Sequence, residues 1–242
     1  MSQPLVSILI PFKNTASYIG DCLESILNQS YSNWEAILVD DSSEDASYTI
    51  VETVSKHMNR VHLYSNTGYG IINALQTAYS HCKGEFITRM DSDDLMSPDR
   101  LEVMVGQLKK HGRKHVALGQ VRYFRADGLS DGFARYERWL NGLTKTGRNY
   151  SEIYKECVIP SPCWMLYRDD FIGCDGFNPN RYPEDYDLAF RFYKAGYTCI
   201  PCDKVLLHWR DYSMRTSRTH QNYAENHFLD LKVRNFLELN YD

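Results

Sequence analysis

Through the first 110 residues, short apolar runs alternate with stretches whose apolar residues recur every three to four positions. Residues 5–10 are a near-continuous apolar run that stops at Pro11, the pattern of a strand covered on both faces. Ile19, Cys22, Leu23, Ile26 and Leu27 then fall on one helical stripe. The rhythm repeats with a strand over 34–39 closed by Asp40 and Asp41, a weaker helix through Val51 and Val54, and a strand over 61–64. Asn66, Gly68 and Gly70 mark a turn, and a helix through Ala74, Leu75, Ala78 and Tyr79 ends near Gly84. A fourth strand over 85–90 runs into Asp91-Ser92-Asp93-Asp94, after which Pro98 opens a helix carrying Leu101, Met104, Val105 and Leu108.

Four such units predict an α/β fold with a mostly parallel central sheet, right-handed crossovers and helices on both faces. Ligands of such sheets bind beyond the carboxyl ends of the strands. Three of those ends carry polar clusters: Lys13 and Asn14, Asp40 and Asp41, and Asp91 to Asp94. Past residue 115 the rhythm changes. A longer strand is expected over 116–124, then a polar, aromatic, glycine-containing stretch over 128–147. A strand over 163–167, a helix over 184–195, a return to strand over 199–209 and a C-terminal helix over 223–239 complete the reading. With no repeat, low-complexity tract or linker, one domain is expected over 1–242, a nucleotide-binding half to about 115 and an acceptor half from 116.

Composition narrows the function class. The chain has 242 residues, 43% hydrophobic and 24% charged, which excludes disorder and fibre. A formal charge of −4 gives no general attraction to nucleic acid or anionic lipid. Seven cysteines cannot all pair within one chain, and no signal peptide or 20-residue apolar span is present, so a cytoplasmic, reducing setting is expected. Cys199 and Cys202 have half a zinc-site spacing without a second pair, and Gly68 and Gly70 make only part of a dinucleotide fingerprint.

On an extended strand, residues two apart point the same way, so Asp91 and Asp93 would share a face. Two carboxylates there repel unless a cation joins them, and hard ions such as Mg²⁺ or Mn²⁺ bridge such groups to phosphates. The plainer alternative is an acidic turn in which Asp94 or Ser97 caps the next helix.

The surrounding residues add a resemblance. Val6-Ser7-Ile8-Leu9-Ile10-Pro11-Phe12-Lys13-Asn14 resembles the opening strand of family 2 glycosyltransferases. Ile37-Leu38-Val39-Asp40-Asp41-Ser42-Ser43, Gly84-Glu85-Phe86-Ile87 with Asp91-Ser92-Asp93-Asp94, and Pro183-Glu184-Asp185-Tyr186-Asp187-Leu188 resemble that family's later motifs, in its order and spacing. The resemblance implies a glycosyltransferase A fold, a nucleotide-sugar donor, one divalent metal (Mn²⁺ or Mg²⁺) and inversion at the anomeric carbon. Carried over, it implies that Asp41 binds the nucleobase, uracil being favoured, with Pro11 and Asn14 beside it. Asp91 would face the ribose and diphosphate, Asp93 would hold the metal and Asp185 would be the general base. Arg215 and Arg218 would close over the diphosphate. His208 is either a metal contact or a hydrogen-bonded strand histidine, and Trp164 either an acceptor platform or a core residue; Glu184 is placed with the acceptor. Whether Asp40 or Asp41 reaches the base stays open at this level.

Two positions depart from the family pattern: Lys13 stands where an aromatic often packs on the base, and Ile72 precedes Asn73 where many members carry Arg. The Gln-rich tryptophan motif and membrane helices of processive members are not seen, which favours single additions over polymerisation. Bacterial members commonly use saccharide or lipid-linked acceptors at the inner membrane face, which would put this protein beside a membrane without a span. The C-terminal helix, lacking a basic face, is expected to pack on the core or form a dimer contact. The rival readings are a catalytically degenerate nucleotide-sugar-binding protein and a sugar-phosphate nucleotidyltransferase. The second would need a glycine-rich basic loop where Pro11-Phe12-Lys13-Asn14 stands.

Overall fold

The computed structural model describes residues 3–125, 128, 131–177, 181–213, 215 and 220–241. Its centre is a seven-stranded sheet. β1 (Val6–Phe12) pairs in parallel with β2 (Trp34–Asp40) on one side and β4 (Phe86–Arg89) on the other. β3 (Val61–Ser65) extends the sheet beyond β2. Every residue of β1 is buried, which is why the run reads as continuous rather than alternating. The period of two is still at work. Val6, Ile8, Ile10 and Phe12 enter one core with α1 (Ile19–Leu27), while Leu9 enters a second core with α3 (Gly70–His81). The remaining helices of this half are α2 (Ser47–His57) and α4 (Arg100–His111).

Residues past 115 complete this same sheet. β8 (Trp164–Tyr167) lies antiparallel between β4 and β6 (His115–Leu118), and β9 (Thr198–Ile200) forms the far edge. The order is therefore β3-β2-β1-β4-β8-β6-β9. The chain order reverses between β1 and β4, and a crevice opens beyond the ends of the strands at such a switch. A three-stranded sheet, β5 (Leu95–Met96), β10 (Val205–Arg210) and β7 (Gln120–Phe124), stands beside it.

Three expectations need correction. The single strand over 116–124 is two strands broken at Gly119, where an added Cβ would lie 2.5 Å from Leu206 Cβ and 2.9 Å from Cys163 Sγ. The close approach of β10 bends the chain from one sheet into the other. The run over 199–209 is likewise split into β9 and β10 around Pro201, which cannot donate to a ladder. Most of the polar, aromatic, glycine-containing stretch over 128–147 is α5 (Asp131–Thr146), whose Phe133, Tyr136, Leu140 and Leu143 recur at helical spacing and pack on the cores. Helices α6 (Arg168–Gly173), α7 (Glu184–Lys194) and α8 (Glu225–Tyr241) follow. All seven cysteines are buried free thiols. No described helix is long and apolar enough to cross a membrane.

Candidate active site

A cleft of about 670 Å³ opens beyond the carboxyl ends of β1, β2 and β4. Pro11, Asn14, Asp41, Asp91, Asp93 and Asp185 all line it, although they are spread over 175 positions of sequence. Such a volume suits a small molecule of nucleotide-sugar size.

At the β2 side, strand alternation separates the two aspartates. The Asp40 carboxylate turns back to accept from the Ser43 amide (3.2 and 3.3 Å) and closes the turn. Asp41 faces the cleft. Its Oδ1 accepts from the Asn66 side-chain amide (2.6 Å) and the Gly70 amide (3.0 Å). Asn14, held at φ 52°, accepts from the Glu44 amide at 2.7 Å, and its own amide donates to Ser43 Oγ at 3.0 Å. A left-handed backbone is tolerated by Asn better than by most residues. The ends of β1 and β2 are thereby stapled into one rigid wall.

In the middle, the three aspartates have different surroundings. Asp94 is fully buried and accepts from the Arg210 amide at 2.8 Å through Oδ1, while its Oδ2 has no hydrogen-bond partner among the described residues. Asp93 lines the cleft and accepts from the Tyr212 hydroxyl at 2.9 Å. Burial and then Asp91 hold the Asp93 carboxyl above the usual carboxylate range; burial, Asp93 and Asp91 do the same to Asp94. Burial works to lower the charge of Arg215, but Asp94 and Asp93 outweigh it and hold the guanidinium charged. That guanidinium stacks over Trp209, 5.4 Å from the ring centroid. Asp91 and Asp93, two hard-oxygen donors crowded on the cleft wall, suit a divalent cation. Among the described residues no three His, Cys, Asp or Glu side chains converge as a closed cage. Mg²⁺-type sites need none, because one or two carboxylates and the substrate's phosphates complete them.

The far wall is organised by Arg89, the last residue of β4. Its Nε donates to Asp91 (2.8 Å) and its Nη1 to Glu184 (2.9 Å), with both partners at hydrogen-bond length. Glu184 Oε2 accepts from the Tyr223 hydroxyl at 2.7 Å. Burial opposes the charge on Arg89, but Asp91 and Glu184 outweigh it and raise its pKa. This brace ties the Asp cluster to the start of α7 and presents the next residue, Asp185, to the cleft. Asp185 accepts only from the Tyr186 amide (2.8 Å) among the described residues. Burial, then the neighbouring Glu184, push its carboxyl up to about 7, against the lowering effect of Arg89. A carboxylate with a pKa near neutrality is suited to taking a proton. Arg89→Lys keeps the charge but loses the two-pronged donor geometry. It should lower stability by about 1.5–3 kcal/mol, the range for a hydrogen bond to a charged group, as read by chemical denaturation.

Several sequence expectations are corrected here. Trp164 is 1% exposed and stacked against Phe171 inside the second core, so it is no acceptor platform. Glu184 is 2% exposed with both oxygens engaged, so it positions Arg89 and is not free to meet an acceptor. His208 sits in β10 opposite Leu95 and Arg122, and strand alternation gives the cleft its neighbour Trp209 instead. Burial and then Arg122 lower the His208 pKa, and the residue does not line the cleft. Arg218 lies outside the described residues. The sequence reading missed Arg89, Tyr212 and Tyr223. Only Arg89 left a signal: a cation ending an otherwise uncharged buried strand, two residues before Asp91.

The profile described as Glycosyl transferase family 2 matches residues 7–174. The EpsE protein of Bacillus subtilis (strain 168) is 40% identical over 228 residues, covering 92% of this chain and 79% of its own length. Chondroitin synthase of Pasteurella multocida (strain Pm70) is 28% identical over 99% of this chain, which spans only 24% of that protein. Among solved structures, S. aureus TarS 1–349 in complex with UDP-GlcNAc aligns with a TM-score of 0.73 at 17% identity, covering 99% of this chain and 68% of that one. Mannosyltransferase PcManGT from Pyrobaculum calidifontis, in complex with GDP-Man and Mn²⁺, aligns at 0.72 and 21% identity, covering 100% and 65%. With the family profile spanning more than half of its residues and the fold shared with these enzymes, the chain belongs to glycosyl transferase family 2.

Proposed function

We propose that this chain transfers a sugar, with inversion and with the help of a divalent metal, from a UDP-sugar to a hydroxyl of a saccharide or lipid-linked acceptor. The observation that carries the reading is the convergence of Asp41, Asp93 and Asp185 on one cleft. Asp41 uses Oδ1 for Asn66 and Gly70, which leaves Oδ2 to accept from the uracil N3–H. Asp93 would hold Mn²⁺ or Mg²⁺, with Asp91 and Arg215 beside it. When bound, the metal neutralises charge on the departing diphosphate. Asp185 takes the proton of the acceptor hydroxyl as that oxygen bonds to the anomeric carbon and the bond to diphosphate breaks. Among the cleft carboxylates, Asp91 is held by Arg89, Glu184 by Arg89 and Tyr223, and Asp93 by Tyr212. Asp185, with no side-chain hydrogen bond among the described residues, is the carboxylate proposed to act as base in a single displacement. Residues 1–115 would carry the donor and 116–242 the acceptor, with the protein working in the cytoplasm at the inner membrane face.

The experiment is a donor panel with Mn²⁺, scored by release of nucleoside diphosphate; no release from any UDP-sugar with a saccharide acceptor overturns the reading. The base contact has its own check. Cytosine N3 carries no hydrogen and would face a carboxylate lone pair. With metal, UDP at about 100 times its Kd should raise stability by about 2.7 kcal/mol. CDP at the same concentration should give a smaller thermal shift, and equal shifts would remove Asp41 from the base.

A further inference from the structure

Tyr69 is the most exposed large apolar side chain among the described residues, at 74%, and it alone of those exposed side chains lines the cleft. A lone exposed aromatic is ordinary when its backbone is ordinary. Here the backbone on both sides is built to hold it. The Asn66 side-chain amide donates to the Gly70 carbonyl and to Asp41, while Asn66 Oδ1 accepts from the Gly68 amide at 3.1 Å. Gly70, at φ +85°, donates its amide to Asp41. At Gly68 an added Cβ would sit 2.8 Å from Asn73 Cγ, so a side chain there would displace Asn73. The ring thus stands on a turn anchored to Asp41, yet among the described residues it makes no ring–ring contact, and it has the Lys13 ammonium 5.1 Å from its centroid. An aromatic face left to water and one ammonium is a platform for a flat partner.

We propose that Tyr69 is the stacking platform for the nucleobase, with Lys13 withdrawing from the ring to admit it. This rests on the nucleotide-donor reading and deepens it. It also places an aromatic on the turn before α3 rather than at position 13 of β1's end, where Lys13 stands. The base would meet Asp41 at its edge and Tyr69 at its face, so the two contacts are separable.

The test is calorimetric titration, with Mg²⁺, of UDP and of 5,6-dihydrouridine diphosphate, whose puckered base keeps N3–H and both carbonyls but stacks poorly. Wild type should bind UDP about 10-fold tighter than the dihydro analogue, in line with the worth of one base–aromatic stack. Tyr69→Ala should weaken UDP by about the same factor and erase the preference; Tyr69→Phe should keep it. The unfolding midpoint of Tyr69→Ala without ligand should match wild type. Unchanged UDP binding in Tyr69→Ala, or an equal loss for both ligands, overturns the platform while leaving the donor reading intact. Should GDP bind and UDP not, the UDP assignment falls, and the Ala and Phe comparison on GDP decides the platform, because stacking tolerates any base. If UDP, GDP, CDP and ADP all fail to bind wild type, the donor reading fails and the platform with it.

Discussion

Asp185→Asn should lower sugar transfer by about 10²- to 10⁴-fold while UDP and metal binding stay as in wild type. The amide keeps the shape and can still accept from the Tyr186 amide, but it has no basic oxygen for the acceptor proton. The pH profile adds a second signature. Because burial and Glu184 raise the carboxyl to about 7, wild-type kcat/KM should climb with pH through that value as the base form appears; this limb should be missing in the variant. Stability moves the other way. A folded pKa above the unfolded one means that the native state holds a proton the unfolded chain releases. The stabilisation is complete below the ordinary carboxylate range and is lost as pH rises through about 7. Asp185→Asn should therefore gain stability relative to wild type from pH 5 to pH 8, measured by thermal unfolding. Asp187 is the contrasting carboxylate: it is buried and paired with Arg191 (2.8 Å) and Arg181 (3.4 Å), so Asp187→Asn should cost stability first. Near-wild-type transfer by Asp185→Asn would place the base elsewhere.

Asp93→Ala should remove the metal-stimulated part of donor turnover, about 10²- to 10³-fold, the magnitude for losing one preorganised charge-stabilising group. The fold should survive, since this carboxylate lines the cleft and Tyr212, whose hydroxyl it accepts from, lines it too. Asp94→Ala differs in kind. That residue is fully buried beneath Arg210, so its loss should lower the unfolding midpoint along with activity. Titration of Mn²⁺ into each variant, read by paramagnetic broadening, separates a lost ligand from a lost fold. EDTA that leaves wild-type transfer unchanged would end the metal proposal.

Local pattern alone carried the first 110 residues. The strand over 34–39 lies inside β2, and the stripe from Ile19 to Leu27 spans α1, because burial on both sheet faces and on one helix face writes directly into residue order. It also carried the three polar strand ends, since a parallel sheet puts all its carboxyl ends on one edge whatever lies between them. Family membership followed from the same stretches, and the profile match over 7–174 covers three of the four motifs. The split at Gly119 was hidden because it depends on Leu206 pressing against a backbone 87 positions away. Likewise α5 was masked by its aromatics and glycines, which speak for a loop until Tyr123 and the cores give Phe133 and Tyr136 something to pack on.

At the site, residue types were legible and partners were not. An Asp two places from another Asp is legible in sequence as a pair of hard-oxygen donors, whereas nothing near Glu184 in sequence says that Arg89 already holds it. The same holds for Trp164 and His208, each readable as a ligand contact until packing turns one into the core and the other away from the cleft. Sequence by itself determined the sheet, its switch point and the carboxylates that gather there, since these follow from periodicities of two and 3.6 acting over neighbouring residues. Only the tertiary structure decided which carboxylates are free to act. Pairing between Arg89 and Glu184, or Tyr212 and Asp93, joins groups 95 and 119 positions apart, and ion pairs and desolvation depend on distance in space, which local order does not encode.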